Sequence, residues 1–116
     1  MAHFAAALLL VHALTQADRC DSPQTQAEMN TCAAQEFHRA DVRLNAAYKK
    51  LMKTLESEPQ RQRKLQAAQR AWLAYRDAHC AFEASDSEGG TMYPLEVSMC
   101  KSGVTSDRID QLTAGR

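Results

Sequence analysis

The acidic side chains that follow residue 82 are the first candidates for chemistry in this sequence. Glu83, Asp86 and Glu88 lie in or beside the polar stretch SDSEGGT, which runs from residue 85 to residue 91. Two carboxylates can hydrolyse a glycosidic bond when one of them acts as an acid in an apolar pocket. The sequence around Glu83 and Glu88 predicts no such pocket. We therefore expect these three carboxylates to be exposed and to form a binding surface.

The other reactive side chains favour structure over catalysis. The sequence has no G-x-S-x-G motif, no glycine-rich phosphate loop after a strand and no CxxC motif, so it does not predict a nucleophilic enzyme or a zinc site. His38 and His79 are expected near each other in an antiparallel hairpin, packed beside aromatic residues and not bound to a metal. The sequence predicts a protein that is not an enzyme and that needs no cofactor or metal.

Four cysteines in a chain of 116 residues predict two disulfide bonds. Cys20 paired with Cys32, and Cys80 with Cys100, would close two local loops. The pairs Cys32–Cys80 and Cys20–Cys100 would instead join the two halves of the chain, which an antiparallel hairpin also permits. The residues alone leave this choice open.

Residues 1–17 are typical of a secretory signal peptide. Phe4 to Leu14 is an apolar run of 11 residues, which is too short for a stable membrane span. Ala17 offers a small residue for cleavage, although no Lys or Arg precedes the apolar run. Arg19 stands directly before Cys20, where a lipoprotein signal needs a small residue. We predict cleavage after Ala17, no stable membrane anchor and a mature domain of residues 18–116; an uncleaved N-terminal helix is the alternative.

The spacing of the apolar residues predicts an all-α fold. Thr25 and Glu28 form a T-x-x-E capping box, and apolar positions then recur every three or four residues as far as Leu55. Pro59 either ends this long helix or begins a second one that runs back antiparallel. Pro94 can open a further helix. The prediction is a long antiparallel helical hairpin with one or two short C-terminal helices and two disulfides.

In this hairpin, apolar stripes define the predicted core and a few polar residues fix the register. Ser102-Gly103 is the predicted break between the short C-terminal helices. The second helix carries a stripe of large side chains at Leu65, Ala68, Trp72, Tyr75, His79 and Phe82. The predicted core residues are Phe37, Leu44, Tyr48, Trp72 and Tyr75. The predicted polar residues that face each other across the hairpin are Asp41, Asn45 and Arg76.

Charge is balanced overall but not along the chain. The 14 basic and 14 acidic residues cancel, which gives no reason to expect binding to nucleic acid. Residues 49–70 hold seven basic and two acidic residues, whereas residues 76–96 hold one basic and five acidic residues. In an antiparallel hairpin these segments are opposite ends. Either both ends are simply solvated, or the acidic end docks a basic protein.

Several segments together resemble one family of small exported bacterial domains. They are TQAEMNTCAAQEFHRADVRLNAAY (25–48), AQRAWLAYRDAHC (68–80), the CAFEAS…GG that follows, and C…T..RI..L (100–112). The chain is similar in these segments to the LprI-type lysozyme-inhibitor domain, over nearly all of the residues after 17. The resemblance implies a helical periplasmic or secreted protein. It also implies the pairs Cys20–Cys32 and Cys80–Cys100, because the cysteines of each half tend to occur as a unit in relatives.

The resemblance and the charge pattern lead to a functional hypothesis. We expect a periplasmic or secreted protein that inhibits a cationic, lysozyme-like glycosidase by occlusion. Glu83, Asp86 and Glu88 would face the basic cleft of that enzyme. The alternative is a structural or stress-related envelope protein that binds another basic envelope partner without inhibition, and an enzyme that acts on peptidoglycan is a third hypothesis. The oligomeric state does not follow from the sequence.

Overall fold

The computed structural model describes residues 20–116. This part of the chain folds into three α-helices, which we number α1 (Gln26–Thr54), α2 (Pro59–Glu83) and α3 (Tyr93–Thr113). A 3-10 turn at Ser85–Ser87 lies between α2 and α3, and residues 20–116 contain no strand. The predicted all-α class is therefore confirmed. The predicted signal peptide, residues 1–17, lies outside the described residues.

Helix α1 begins at the capping box that the sequence predicts. The Thr25 hydroxyl accepts a hydrogen bond from the amide of Glu28 at 3.1 Å, and the Glu28 carboxylate accepts one from the amide of Gln24 at 2.8 Å. The amide of Glu28 is in the first turn and has no acceptor within the helix, and the amide of Gln24 precedes the helix, so these two bonds satisfy both donors. The predicted start of α1 is confirmed.

A short link, residues 55–58, joins α1 to α2 and reverses the chain. Pro59 is the first residue of α2, where its missing N–H group costs no helical hydrogen bond. The side-chain amide of Gln62 donates to the carbonyl oxygen of Met52 at 3.0 Å and holds the two helices together across the link. The predicted hairpin is present, and Pro59 begins its second helix.

Helix α3 packs against both helices of the hairpin. Near its start, the Asn30 side-chain amide donates to the carbonyl oxygen of Thr91 at 2.9 Å. Near its end, Leu112 joins the buried cluster that contains Leu55. Helix α3 therefore runs parallel to α1 and antiparallel to α2. Backbone contact is most extensive between α1 and α3.

The predicted break at Ser102-Gly103 is wrong, because α3 is one continuous helix of 21 residues. A glycine in a helix interior costs about 1 kcal/mol relative to alanine. Thr105, two residues further on, is completely buried. The packing of α3 against its neighbours outweighs the local cost of Gly103.

The apolar core lies toward the link end of the three helices. Its buried members are Leu44, Leu51, Leu55 and Leu112, and the half-buried residues packed against them include Tyr48, Leu65, Trp72 and Leu73. Phe37, further toward the start of α1, is also half-buried. Among residues 20–116, no helix is long and apolar enough to cross a membrane.

Only part of the stripe that the spacing predicts on α2 faces inward, since Leu65 and Trp72 pack against the core. The buried residues of this helix are Gln69, Arg76 and Cys80. Tyr75 and Phe82 are 56% and 72% exposed, so the prediction of Tyr75 as a core residue is wrong. The helix is turned by one residue, about 100°, relative to the prediction. The physical reason is that contacts made by polar and disulfide-bonded residues, described next, set the inward face.

Candidate functional site

A buried polar cluster around Arg76 fixes the register of α1 and α2. The guanidinium Nη1 donates to Asp41 Oδ1 at 3.0 Å, and Nε donates to Asp77 Oδ1 at 3.0 Å. The guanidinium carbon lies 4.9 Å from the centre of the Phe37 ring and 5.4 Å from that of Trp72. Carboxylates and aromatic faces together replace the water that the guanidinium loses on burial.

The same cluster extends to α3. Arg76 Nη1 lies 3.5 Å from the hydroxyl oxygen of Thr105. Lys101 Nζ lies 3.5 Å from Asp77 Oδ1 and 5.5 Å from the centre of the Phe37 ring. All three helices therefore contribute to one polar network in the middle of the fold, and this network sets which face of α2 points inward.

The structure brings two of the three predicted polar residues together. Asp41 and Arg76 form the ion pair described above, whereas Asn45 is exposed on α1. Arg108 of α3 makes a separate contact, because its Nε donates to Gln69 Oε1 at 3.0 Å. Burial lowers the pKa of Arg108. The buried Gln69 and Arg76 thus both have partners on neighbouring helices.

Two disulfides complete this framework. Cys20 is bonded to Cys32, and Cys80 is bonded to Cys100, so the pairing implied by the family resemblance is confirmed. The second bond ties the last turns of α2 to α3. Cys80 and Ala84 are completely or almost completely buried. The C-terminal end of α2, from which the next segment departs, is therefore held in place.

The three predicted binding carboxylates lie on this segment, which we call the acidic loop (residues 83–88). Glu83 is the last residue of α2, Asp86 lies in the 3-10 turn, and Glu88 directly follows that turn. All three are exposed. Within residues 20–116, no Lys or Arg nitrogen lies within 4.0 Å of their carboxylates, and the nearest cationic candidate is His79 Nε2, 3.9 Å from Glu83. These charges are thus available to a partner.

The remaining candidates for chemistry do not converge on the acidic loop. His38 is exposed on α1, while His79 stacks on Tyr75 of its own helix with ring centres 5.2 Å apart. In the described part of the chain, no group of three or more His, Cys, Asp or Glu side chains could hold a metal ion. What the site offers is an exposed anionic surface beside aromatic side chains.

Charge is separated along the fold. The acidic loop is next to the start of α1, as the contact between Asn30 and Thr91 shows. The basic segment, residues 49–70, surrounds the link at the other end of α1. A helix of 29 residues is about 43 Å long at 1.5 Å per residue. The link at the centre of the basic segment is therefore about 40 Å from the start of α1. The near end of the segment, Arg70, lies 13 residues before Glu83 on α2, or about 20 Å.

Sequence reasoning missed the exposed aromatic side chains beside the acidic loop. It assumed that the apolar side of α2 faces inward. The available signal was the spacing of Gln69, Arg76 and Cys80, which places three residues able to bond with other helices on one face. That face is the one that the structure buries.

Comparison with known proteins agrees with the resemblance seen in the sequence. The model of the family described as "Lysozyme inhibitor LprI" matches residues 17–112. An uncharacterized protein of Rhizobium meliloti (strain 1021) is 30% identical over 104 residues, which cover 80% of this chain and 75% of that protein. No solved structure matches the chain. The family and the two disulfides indicate an exported protein. The chain belongs to the LprI family of lysozyme inhibitors.

Proposed function

We propose that this protein acts in the periplasm or outside the cell and inhibits a lysozyme by covering its active-site cleft. The family supports a lysozyme as the target. The observation that carries the mechanism is the set of exposed carboxylates on the acidic loop, Glu83, Asp86 and Glu88, which have no Lys or Arg partner within residues 20–116. An anionic surface of this kind attracts a cationic enzyme and matches a cleft lined by basic side chains.

The acidic loop is held in place before any partner arrives. The amide of Ser87 donates to the carbonyl oxygen of Ala84 at 3.0 Å, and the amide of Glu88 donates to the carbonyl oxygen of Ser85 at 3.1 Å. The Cys80–Cys100 disulfide fixes the helix end from which the loop departs. A preorganised loop loses less conformational entropy on binding. The carboxylates can therefore contribute to affinity without first being ordered.

The separation of charge supports an oriented approach. A cationic enzyme is attracted to the acidic loop and repelled by the basic segment, whose centre is the link at the opposite end of the hairpin. Asp77, the other acidic residue at the end of α2, is already paired with Arg76 and Lys101. Asp77 therefore adds little to this attraction. We expect association to be fast at low salt and slower as salt screens the charges.

A turbidity assay of bacterial cell lysis tests this function. Excess purified protein should slow lysis by a lysozyme, and the effect should weaken as salt increases. The test variant carries Glu83→Lys, Asp86→Lys and Glu88→Lys and should inhibit poorly. The matched control carries Glu56→Lys, Asp107→Lys and Asp110→Lys, which change the net charge equally at exposed positions outside the loop.

The control variant should inhibit almost as well as the unmodified protein. Undiminished lysis with several types of lysozyme would refute the proposed function. Equal loss of inhibition in both variants would show that net charge, and not the acidic loop, governs binding. Capture of a different envelope protein without inhibition would favour the alternative of a structural or stress-related binding protein.

A further inference from the structure

Exposed apolar side chains are concentrated in the part of the chain that surrounds the acidic loop. In residues 20–116, five large apolar side chains are exposed. Four of them fall between residues 75 and 99, namely Tyr75, Phe82, Met92 and Met99, and the fifth is Val42. Isolated exposed apolar residues are ordinary, whereas a concentration in one region is typical of an interaction surface.

Two of these side chains belong to one continuous face of α2. Tyr75 and His79 are one turn apart and stack at 5.2 Å with an angle of 17° between their planes. Phe82 lies seven residues after Tyr75, about two turns, and therefore on the same side of the helix. We call Tyr75, His79 and Phe82 the aromatic face. It leads directly into Glu83, the first carboxylate of the acidic loop.

The fold itself does not require the aromatic face. A different side of α2 provides the polar and disulfide contacts with the rest of the protein, through Gln69, Arg76 and Cys80. Phe82 is 72% exposed, so it contributes little burial to folding. Aromatic side chains at the centre of a surface, with charged residues around them, are the composition of a protein–protein interface.

We infer that the aromatic face is the apolar centre of the surface that grips the lysozyme, with the acidic loop as its charged rim. This inference rests on the proposed function and names the apolar residues of its interface. The partner must present an apolar site bordered by lysine or arginine side chains, because Phe82 is followed by the exposed carboxylates of Glu83 and Asp86. Charge complementarity thus points to a cationic protein.

Charge also argues against a second copy of this chain as the occupant. A two-fold dimer places the same patch of both subunits against each other. A dimer through the aromatic face would bring two acidic loops together, and like charges across an interface are unfavourable. A basic partner has no such penalty.

The two parts of the surface should have different kinetic signatures. In surface plasmon resonance on immobilised lysozyme, Tyr75→Ala combined with Phe82→Ala should raise Kd by about 10- to 30-fold, mainly through faster dissociation. This loss should persist at high salt. Charge reversal of the acidic loop should instead slow association and reduce the salt dependence. Val42→Ala is the matched control, since Val42 is as exposed as Tyr75, and should leave Kd unchanged.

The outcomes separate the inference from the proposed function. If the double variant binds like the unmodified protein while charge reversal still weakens binding, the aromatic face is not part of the interface and the proposed function stands. If the unmodified protein does not bind any lysozyme, both fail. Concentration-dependent dimerisation that the double variant abolishes would also overturn the inference. Phe82→Ala alone is the second variant if the double variant unfolds, and a loss of affinity of several-fold with an unchanged melting temperature would support the inference.

Discussion

The ion pairs of Arg76 allow a sharp test of how the fold is held together. The Arg76 side chain is 8% exposed, whereas the side chains of Asp41 and Asp77 are 36% and 55% exposed. A buried charge left without a partner costs about 3–5 kcal/mol. Only the guanidinium is buried deeply enough to incur that cost, because water reaches both carboxylates. The stability of the fold should therefore depend on whether Arg76 keeps at least one carboxylate.

This asymmetry predicts a non-additive result. Asp41→Asn or Asp77→Asn alone leaves one carboxylate on the guanidinium, and each should lower the free energy of unfolding by about 1 kcal/mol. The double variant leaves none and should lower it by about 3–4 kcal/mol. The coupling between the two sites is then about 1–2 kcal/mol. A single variant should lower Tm by about 4–8 °C for a domain of this size.

Urea unfolding of the oxidised protein measures these values. The single tryptophan, Trp72, lies 5.4 Å from the guanidinium and reports the loss of the cluster, while circular dichroism reports the loss of helix. Coincident transitions with unchanged m-values would show that stability alone has changed. Additive effects of the two substitutions would refute the reasoning, because they would mean that water or another group compensates the guanidinium.

Three further predictions concern local features of the fold. Gly103→Ala should raise the free energy of unfolding by about 0.5–1 kcal/mol, because an added Cβ meets no atom within 4 Å; a lower value in urea unfolding would contradict this. Cys80→Ala with Cys100→Ala removes a closed loop with a sequence separation of 20 and should cost about 3 kcal/mol, and an unchanged Tm would contradict it. The hydrogen bond from Arg39 lowers the pKa of Glu36, so the folded state binds this proton less readily than the unfolded state. The stabilisation from ionised Glu36 is present above the ordinary pKa of a glutamate and is lost as pH falls through the lowered pKa. Glu36→Gln should remove this part of the acid dependence of Tm. Identical plots of Tm against pH for the variant and the unmodified protein would contradict the assignment.

Local signals in the sequence predict the ends of the helices well. Thr25 and Glu28 make the capping bonds expected of their spacing, and Pro59 begins α2. Pro94 stands in the first turn of α3, as its fixed φ and missing N–H group favour. Each of these signals acts over a few residues and needs no information about the rest of the fold. Gly103 is the exception, because its local preference conflicts with the packing of α3.

The exposure of the acidic-loop carboxylates was also predictable, because polar, glycine-rich segments lie on the surface. The exposure of Glu83, Asp86 and Glu88 needs only that rule. Their lack of basic neighbours in residues 20–116 needs the tertiary structure, since Lys101 is close in space to Asp77. Residue spacing along α2 cannot show which carboxylate a lysine on α3 will neutralise.

The orientation of α2 could not be predicted from its own residues, and it determines the candidate binding surface. Turning the helix by one residue to bury Tyr75 would move Arg76 away from Asp41 and Cys80 away from Cys100, contacts that the structure makes. Losing a buried ion pair and losing a disulfide would each cost several kcal/mol. Burial of one aromatic side chain would stabilise the fold by only about 1.5–3 kcal/mol. The contacts that stabilise the fold therefore expose the aromatic face. They also fix it directly beside the acidic loop, so the same framework that sets stability sets the surface that we propose for a basic partner.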